Sequence, residues 1–339
     1  MNKARLISRI EEQRIDNREK RENGRREKRM DGEMLEIKVP GSTANLGPGF
    51  DTLGLAIPLY LTIRVKLADT FQIIVKGEHL SSLPTDRSNL IYRSMEQLYE
   101  LAGKSIPPLS LEIESEIPLS RGLGSSGSAI IAGLLAANEL LGQIKTKDEL
   151  LQIAAKIEGH SDNIGASLYG GFIIAGGNPE LAIVEKLPYP EEMKLLLLIP
   201  KYTLSTNVAR KQIPERIPLK DASQNIGNTA LLAHYFATGQ IEKIPLVMKD
   251  KLHQPYRQNV VKGLERILYY AEQKHFAAAL SGAGPTIILF LRDFEVPYIA
   301  EIANEVAEIE GVELDLKLVT IQKEGPLIHR IENPTPTCN

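Results

Sequence analysis

The chain has 339 residues, 43% apolar and 24% charged, with a formal net charge of −3, average glycine and proline and no tryptophan. That balance supplies apolar material for two ordinary domains and argues against a nucleic-acid surface, which needs a basic field and stacking aromatics. A single cysteine, Cys338, can close neither an internal disulfide nor a thiolate metal site, and no apolar run nears the roughly 20 residues of a membrane span, so a cytoplasmic protein with small-molecule substrates and no membrane partner is expected.

Residues 1–33 carry 11 Lys/Arg against 8 Asp/Glu and few aliphatics, which predicts a charged, poorly ordered, dispensable extension. Leu35–Pro40 then reads as a strand, Gly41–Phe50 as a Gly/Asn loop, and Leu55–Leu67 and Phe71–Val75 as further strands. Asn89–Leu101 places Ile91, Met95 and Leu98 on one helical stripe. Leu109, Leu111 and Ile113 alternate with polar residues as a half-buried strand. Ser125–Leu141 reads as an apolar helix, and Thr146 with Glu149 forms a capping box for the next. The glycine-rich Gly170–Gly177 ends a first domain, expected to run from 34 to 185. Leu195–Ile199 opens a second, 186–330, with several helices between Thr206 and Tyr270. Phe276–Leu280 and Thr286–Leu291 flank a tight turn as an antiparallel pair, a helix and strand follow to Val319, and 331–339 is left as a tail. Strands and helices without steady β-α-β alternation predict an α+β fold.

Three glycine-rich loops carry the chemistry. Pro118-Leu119-Ser120-Arg121-Gly122-Leu123-Gly124-Ser125-Ser126-Gly127-Ser128 lies between a strand and an apolar helix. Its glycines let backbone N–H groups approach an anion, and the helix N-terminus adds a positive dipole end. Ser125, Ser126 and Ser128 add hydroxyls for a phosphate or a metal ion. Gly122–Gly127 also fits the bare G-x-G-x-x-G of dinucleotide-binding proteins, which keeps an NAD(P)-dependent oxidoreductase as an alternative. That reading wants a short turn off a strand and an acidic residue ending the next strand about 20 positions on; here Asp148 and Glu149 open a helix. No lysine follows the glycines, so the Walker loop is excluded. The second loop, Pro40–Asp51, offers Asn45 and Asp51 as polar anchors, and the third, Ser281–Thr286, allows close backbone approach.

Six segments in order resemble the GHMP kinase superfamily and, within it, the homoserine kinases: Thr43–Asp51, Pro118–Ser128, Glu158–Asn163, Ser205–Arg210, Leu252–Arg257 and Ser281–Thr286. The resemblance spans Leu35 to Val319. It implies a first domain like ribosomal protein S5 domain 2, a ferredoxin-like second domain, ATP with Mg²⁺ as cofactor, and L-homoserine as substrate. By resemblance the 118–128 loop holds ATP, with Asn89 near adenine. Asp51 and Asn45 face the amino and hydroxyl end of the substrate, Arg210 and Arg257 take its carboxylate, and His160 and Asn163 stand beside it. A guanidinium can fork onto a carboxylate, which lysine cannot. Asn163 stands where related kinases carry an aspartate base, so the catalytic set Asn163, Asp51 and Ser126 is expected to work by positioning rather than proton abstraction. Mg²⁺ is expected on Ser126 and Glu158, although Lys156 occupies a position where the family often has a glutamate. A kinase for another hydroxylated acid and a catalytically silent sensor are the other readings of the same motifs. A homodimer is compatible with the sequence, and no nucleic-acid partner is expected.

Overall fold

The computed structural model describes residues 33–178 and 180–332. The expected extension up to residue 32, and the tail from 333 with Cys338, lie outside the described residues. Strand β1 (Glu33–Asn45) starts with buried Leu35, Ile37 and Val39 alternating with partly exposed neighbours, then buries every residue from Val39 to Asn45. It pairs antiparallel with β2 (Gly49–Leu67). The predicted Gly41–Phe50 loop is therefore mostly strand, with a turn only at Leu46–Pro48. Small residues allow this. A β-carbon on Gly41 would stand 3.0 Å from the Leu123 carbonyl, so the segment is tailored to close packing rather than to looping out.

Strand β3 (Gln72–Lys76) runs parallel to β4 (Leu109–Ser115), the crossover being helix α1 (Leu90–Leu101). Strands β5 (Phe172–Asn178) and β6 (Leu181–Leu187) form a hairpin on the turn-proximal end of β2. Behind the sheet lie α2 (Ser125–Leu140), α3 (Lys147–Glu158) and α4 (Asp162–Tyr169). Helix α2 is apolar on nearly all sides, as a helix enclosed by other elements must be. The Thr146–Glu149 capping box of α3 is present as predicted.

The second sheet has the order β10-β7-β9-β8, all antiparallel. Its strands are β7 (Lys194–Pro200), β8 (Ala277–Leu280), β9 (Ile287–Leu291) and β10 (Leu314–Val319). Between β7 and β8 come α5 (Thr206–Arg210), α6 (Leu219–Ala237), α7 (Gln254–Arg257) and α8 (Leu264–Lys274), and α9 (Val296–Glu310) joins β9 to β10. This order with α8 and α9 on one face is the expected ferredoxin-like arrangement, and the whole is α+β. Phe172, Phe236 and Phe290 meet ring to ring at 4.7 and 5.7 Å and join the two sheets in one core.

The boundary expected at 330 needs correction. A last strand, β11 (Leu327–Glu332), returns to the first sheet and pairs antiparallel with β1. Residues 327–330 thus belong with the first sheet, and the segment expected to begin a tail at 331 continues that strand. The signal was missed because Leu327–Glu332 has only short alternation between polar residues.

Candidate active site

A cleft of ≈ 450 Å³ opens between the two sheets, and the six motif segments converge on it. One end is made of backbone. The N-terminus of α2 is capped by Gly124 in the left-handed region, φ 74°, with no side-chain cap. The first N–H to close the helical ladder is that of Ser128, to the Gly124 carbonyl. The preceding amides of the first turn remain for an anion. The serines do not cap this helix: Ser128 Oγ donates to the Ser125 carbonyl, and Ser126 Oγ to Glu158 Oε2 at 2.7 Å. Ser126 and Glu158, the expected metal pair, are therefore in contact on the cleft wall. Lys156 is exposed on α3 and is not part of that wall. Among the described residues no group of three or more His, Cys, Asp or Glu could hold a metal ion.

Gly122 and Gly124 are required by fit as well as by φ. A β-carbon on Gly124 would stand 2.1 Å from Ser42 Oγ, and one on Gly122 2.2 Å from the Ser281 carbonyl. Some of the residues expected at the nucleotide are engaged within the protein or stand off the cleft wall. Arg121 spends its guanidinium on the carbonyls of Leu119, Pro200 and Lys201, tying the loop to the end of β7. Pro118, Gly127 and Ser128 stand outside the cleft wall, whereas Leu119, Ser120 and Arg121 through Ser126 line it. Asn89 is on the wall, but its side chain caps α1 by accepting from Ile91 N–H and donates to the Pro84 carbonyl.

The other end is made of side chains. Asn45, Leu46 and Asp51 all have positive φ, at 71°, 48° and 50°. Asn and Asp tolerate this region, whereas a leucine is held there by complete burial. Asn45 Oδ1 accepts the Asp51 N–H, and its Nδ2 donates to the Gly282 carbonyl. The same carbonyl accepts from Arg257 Nη1 at 3.0 Å. Arg257 is 2% exposed. Burial and nearby Arg210 bring its pKa down to about 10, which leaves it charged at neutral pH. Its Nη1 also donates to His253 Nδ1 and its Nε to the Ala209 carbonyl. The expected fork is thus partly used inside the protein, and Nη2 is the nitrogen left for a ligand.

His253, which supports Arg257 from behind the cleft wall, was passed over by sequence reasoning, although it sits within the Leu252–Arg257 segment. It is fully buried, and its Nε2 lies 2.8 Å from the Gly47 carbonyl. A carbonyl only accepts, so Nε2 carries the proton and Nδ1 is free to accept from Arg257. Burial pushes its pKa down, in keeping with a neutral ring. Phe50 was passed over too: His253 stacks on it at 5.2 Å, and the Arg210 and Arg257 guanidinium carbons lie 5.7 Å from its centroid. An aromatic face beside two cations offsets part of their repulsion.

Ser42, also passed over, donates from Oγ to Asn163 Oδ1 at 2.9 Å, with Ser167 Oγ 3.1 Å behind it. This engages the Asn163 oxygen and leaves its amide N–H groups for the cleft. Asp162 is 1% exposed and accepts from His160 and from the Asn163 N–H. Burial alone would lower the His160 pKa, but Asp162, Glu158 and Asp51 outweigh it and hold it above the usual value. Finally, Asp51 and Arg210, expected at different parts of a substrate, pair with each other at 3.0 Å.

Residues 89–171 match the family model described as the GHMP kinases N terminal domain. The chain is 36% identical over 296 residues to a homoserine kinase of Desulfitobacterium hafniense, covering 87% of this chain and all of that one. It is 41% identical over 255 residues to a homoserine kinase of Deinococcus radiodurans, covering 75% of this chain and 83% of the relative. The chain belongs to the homoserine kinase family of GHMP kinases. A crystal structure of homoserine kinase from Cytophaga hutchinsonii superposes with a TM-score of 0.78 at 25% identity, over 87% of this chain and 97% of that one. Mevalonate kinase, at 16% identity and a TM-score of 0.63, shares the fold. Membership in this family also disposes of the oxidoreductase alternative. The Gly122–Gly127 loop follows a strand of a mixed, largely antiparallel sheet, not the parallel sheet that places a dinucleotide. No helix among the described residues is long and apolar enough to cross a membrane.

Proposed function

We propose that this chain transfers the γ-phosphoryl group of ATP to the side-chain hydroxyl of L-homoserine, with the roles of its residues divided between the two ends of the cleft. The observation that carries the reading is the placement of the uncapped α2 N-terminus and the Asn45–Asp51–Arg210–Arg257 group on one cleft wall. Backbone amides of Gly124–Ser126 hold the phosphates. Asp51 with Asn45 receives the amino end of homoserine. Arg210 and the free Nη2 of Arg257 receive its carboxylate, with His160 alongside. Ser126 and Glu158 would hold Mg²⁺, a cation that keeps several waters and needs few protein oxygens beside a triphosphate. Bound there, it would neutralise charge on the phosphates.

Asn163 orients the reacting groups through its N–H groups. With its oxygen taken by Ser42 it has no basic atom to offer, and phosphoryl transfer through a loose transition state depends chiefly on positioning and charge stabilisation. The hydroxyl proton leaves to phosphate or water. Asp162 is ill-suited as a base because its carboxylate is buried against His160 and the chain. The test is ³¹P NMR of purified protein with ATP and Mg²⁺. O-Phosphohomoserine is expected from homoserine, with weaker signals from a panel of hydroxy acids. ADP release that is independent of homoserine would contradict the reading.

A further inference from the structure

Asp51 and Arg210 take opposite charges of one ligand in the proposed reading, yet they are bound to each other. Arg210 Nη2 lies 3.0 and 3.2 Å from the two Asp51 oxygens, and Nη1 lies 3.2 Å from Oδ2. Neither makes another ion pair among the described residues. Their backbones are fixed independently. The Asp51 N–H is held by Asn45, and the turn before Arg210 is anchored through buried Ala209, whose carbonyl accepts from Arg257. The two side chains are 33% and 46% exposed, so they can part without moving the fold.

We propose that this pair is a zwitterion filter, a conclusion that rests on reading the cleft as an amino-acid site. A ligand with both an ammonium and a carboxylate replaces each half of the pair with a new partner. A ligand carrying one charge must open the same pair and leaves the other half unpartnered. It also sits beside a protein charge of its own sign. The filter therefore rejects hydroxy acids and amino alcohols more strongly than the loss of one contact would.

The experiment uses calorimetric titration of the full chain with a non-hydrolysable ATP analogue present. The ligands are L-homoserine, 4-hydroxybutanoate, which lacks the ammonium, and 3-aminopropan-1-ol, which lacks the carboxylate. Asp51→Asn keeps the shape and tolerates the positive φ, and Arg210→Gln removes a partly exposed charge. Both variants should weaken homoserine. Asp51→Asn should tighten 4-hydroxybutanoate, and Arg210→Gln should tighten 3-aminopropan-1-ol, each roughly two- to fivefold, the range for freeing an exposed ion pair. In the Arg210→Gln background, where no pair has to open, adding Asp51→Asn should tighten 4-hydroxybutanoate by clearly less than it does in the native chain, because only the like-charge repulsion is relieved. An equal gain there would mean simple charge repulsion and overturn the filter, as would no gain in either single variant. If the native chain failed to bind homoserine at all, the amino-acid reading itself would fall.

Discussion

The two ends of the cleft are built by different means. At the end proposed for phosphate, the cleft is lined by the uncapped N-terminus of α2, and the side chains that matter are those that are missing, at Gly122 and Gly124. At the amino-acid end the ligand-facing groups are side chains drawn from distant segments, Asp51 and Arg210 being 159 residues apart. On the proposed reading the first end takes an anion of any origin. On the same reading the second selects a pattern of charges. The two arginines sharpen the contrast within the second end: Arg257 is a buried framework residue with three internal acceptors, whereas Arg210 is 46% exposed and, among the described residues, forms an ion pair with Asp51 alone.

The largest effect is expected where backbone and packing coincide. Gly124→Val places a side chain where Ser42 Oγ stands and forces a β-branched residue to positive φ. It should abolish ATP turnover and also destabilise the fold by several kcal/mol, at least about 2, in a denaturant melt. An inactive variant of native stability would show that the glycine serves phosphate approach alone. Arg257→Leu comes next. It leaves buried His253 Nδ1 without its donor and takes one of two donors from the Gly282 carbonyl, so a loss of about 1–3 kcal/mol is expected, against less than about 0.5 kcal/mol for Arg210→Leu. Equal stability losses in the two variants would erase the distinction between them.

A third prediction isolates the phosphate end without disturbing its packing. Ser126→Ala should leave the melting curve within about 0.5 kcal/mol of native while lowering turnover about tenfold or more, as loss of a charge-assisted contact does. A variant with native kcat at all Mg²⁺ concentrations would remove Ser126 from the metal. The smallest effect concerns His160. Its pKa is raised in the folded state, so its contribution to stability is complete below the unfolded value of about 6.5. That contribution is lost as pH rises through the higher folded value. The stability difference between native and His160→Gln should therefore shrink from pH 6 to pH 9, and a constant or growing difference would contradict the His160–Asp162 charge pairing.

The same division explains what the chain's sequence made legible. Strands with clean alternation, the capped helix α3 and the antiparallel pair β8–β9 could be read directly, because the forces that form them are local. The glycine- and serine-rich segment between β4 and α2 was legible as a strand-to-helix junction for a related reason. At the amino-acid end, residue types and motif resemblance brought Asn45, Asp51, His160, Arg210 and Arg257 to one site. They did not reveal that Asp51 and Arg210 pair, that Arg121 spends its charge on three carbonyls, or that His253 holds Arg257. Those relations depend on how the second sheet packs against the first, and no periodicity encodes them. The return of β11 to β1 escaped because its six residues alternate too briefly among polar ones to mark a strand.

Whether the two ends act separately is decided by steady-state kinetics of Arg210→Leu with each substrate varied in turn. A charge-assisted bond is worth about 1.5–3 kcal/mol, and releasing Asp51 returns up to about 1 kcal/mol. The expected result is a KM for homoserine raised roughly tenfold with the KM for ATP unchanged. An equal rise in both constants would show that the cleft is not divided in this way.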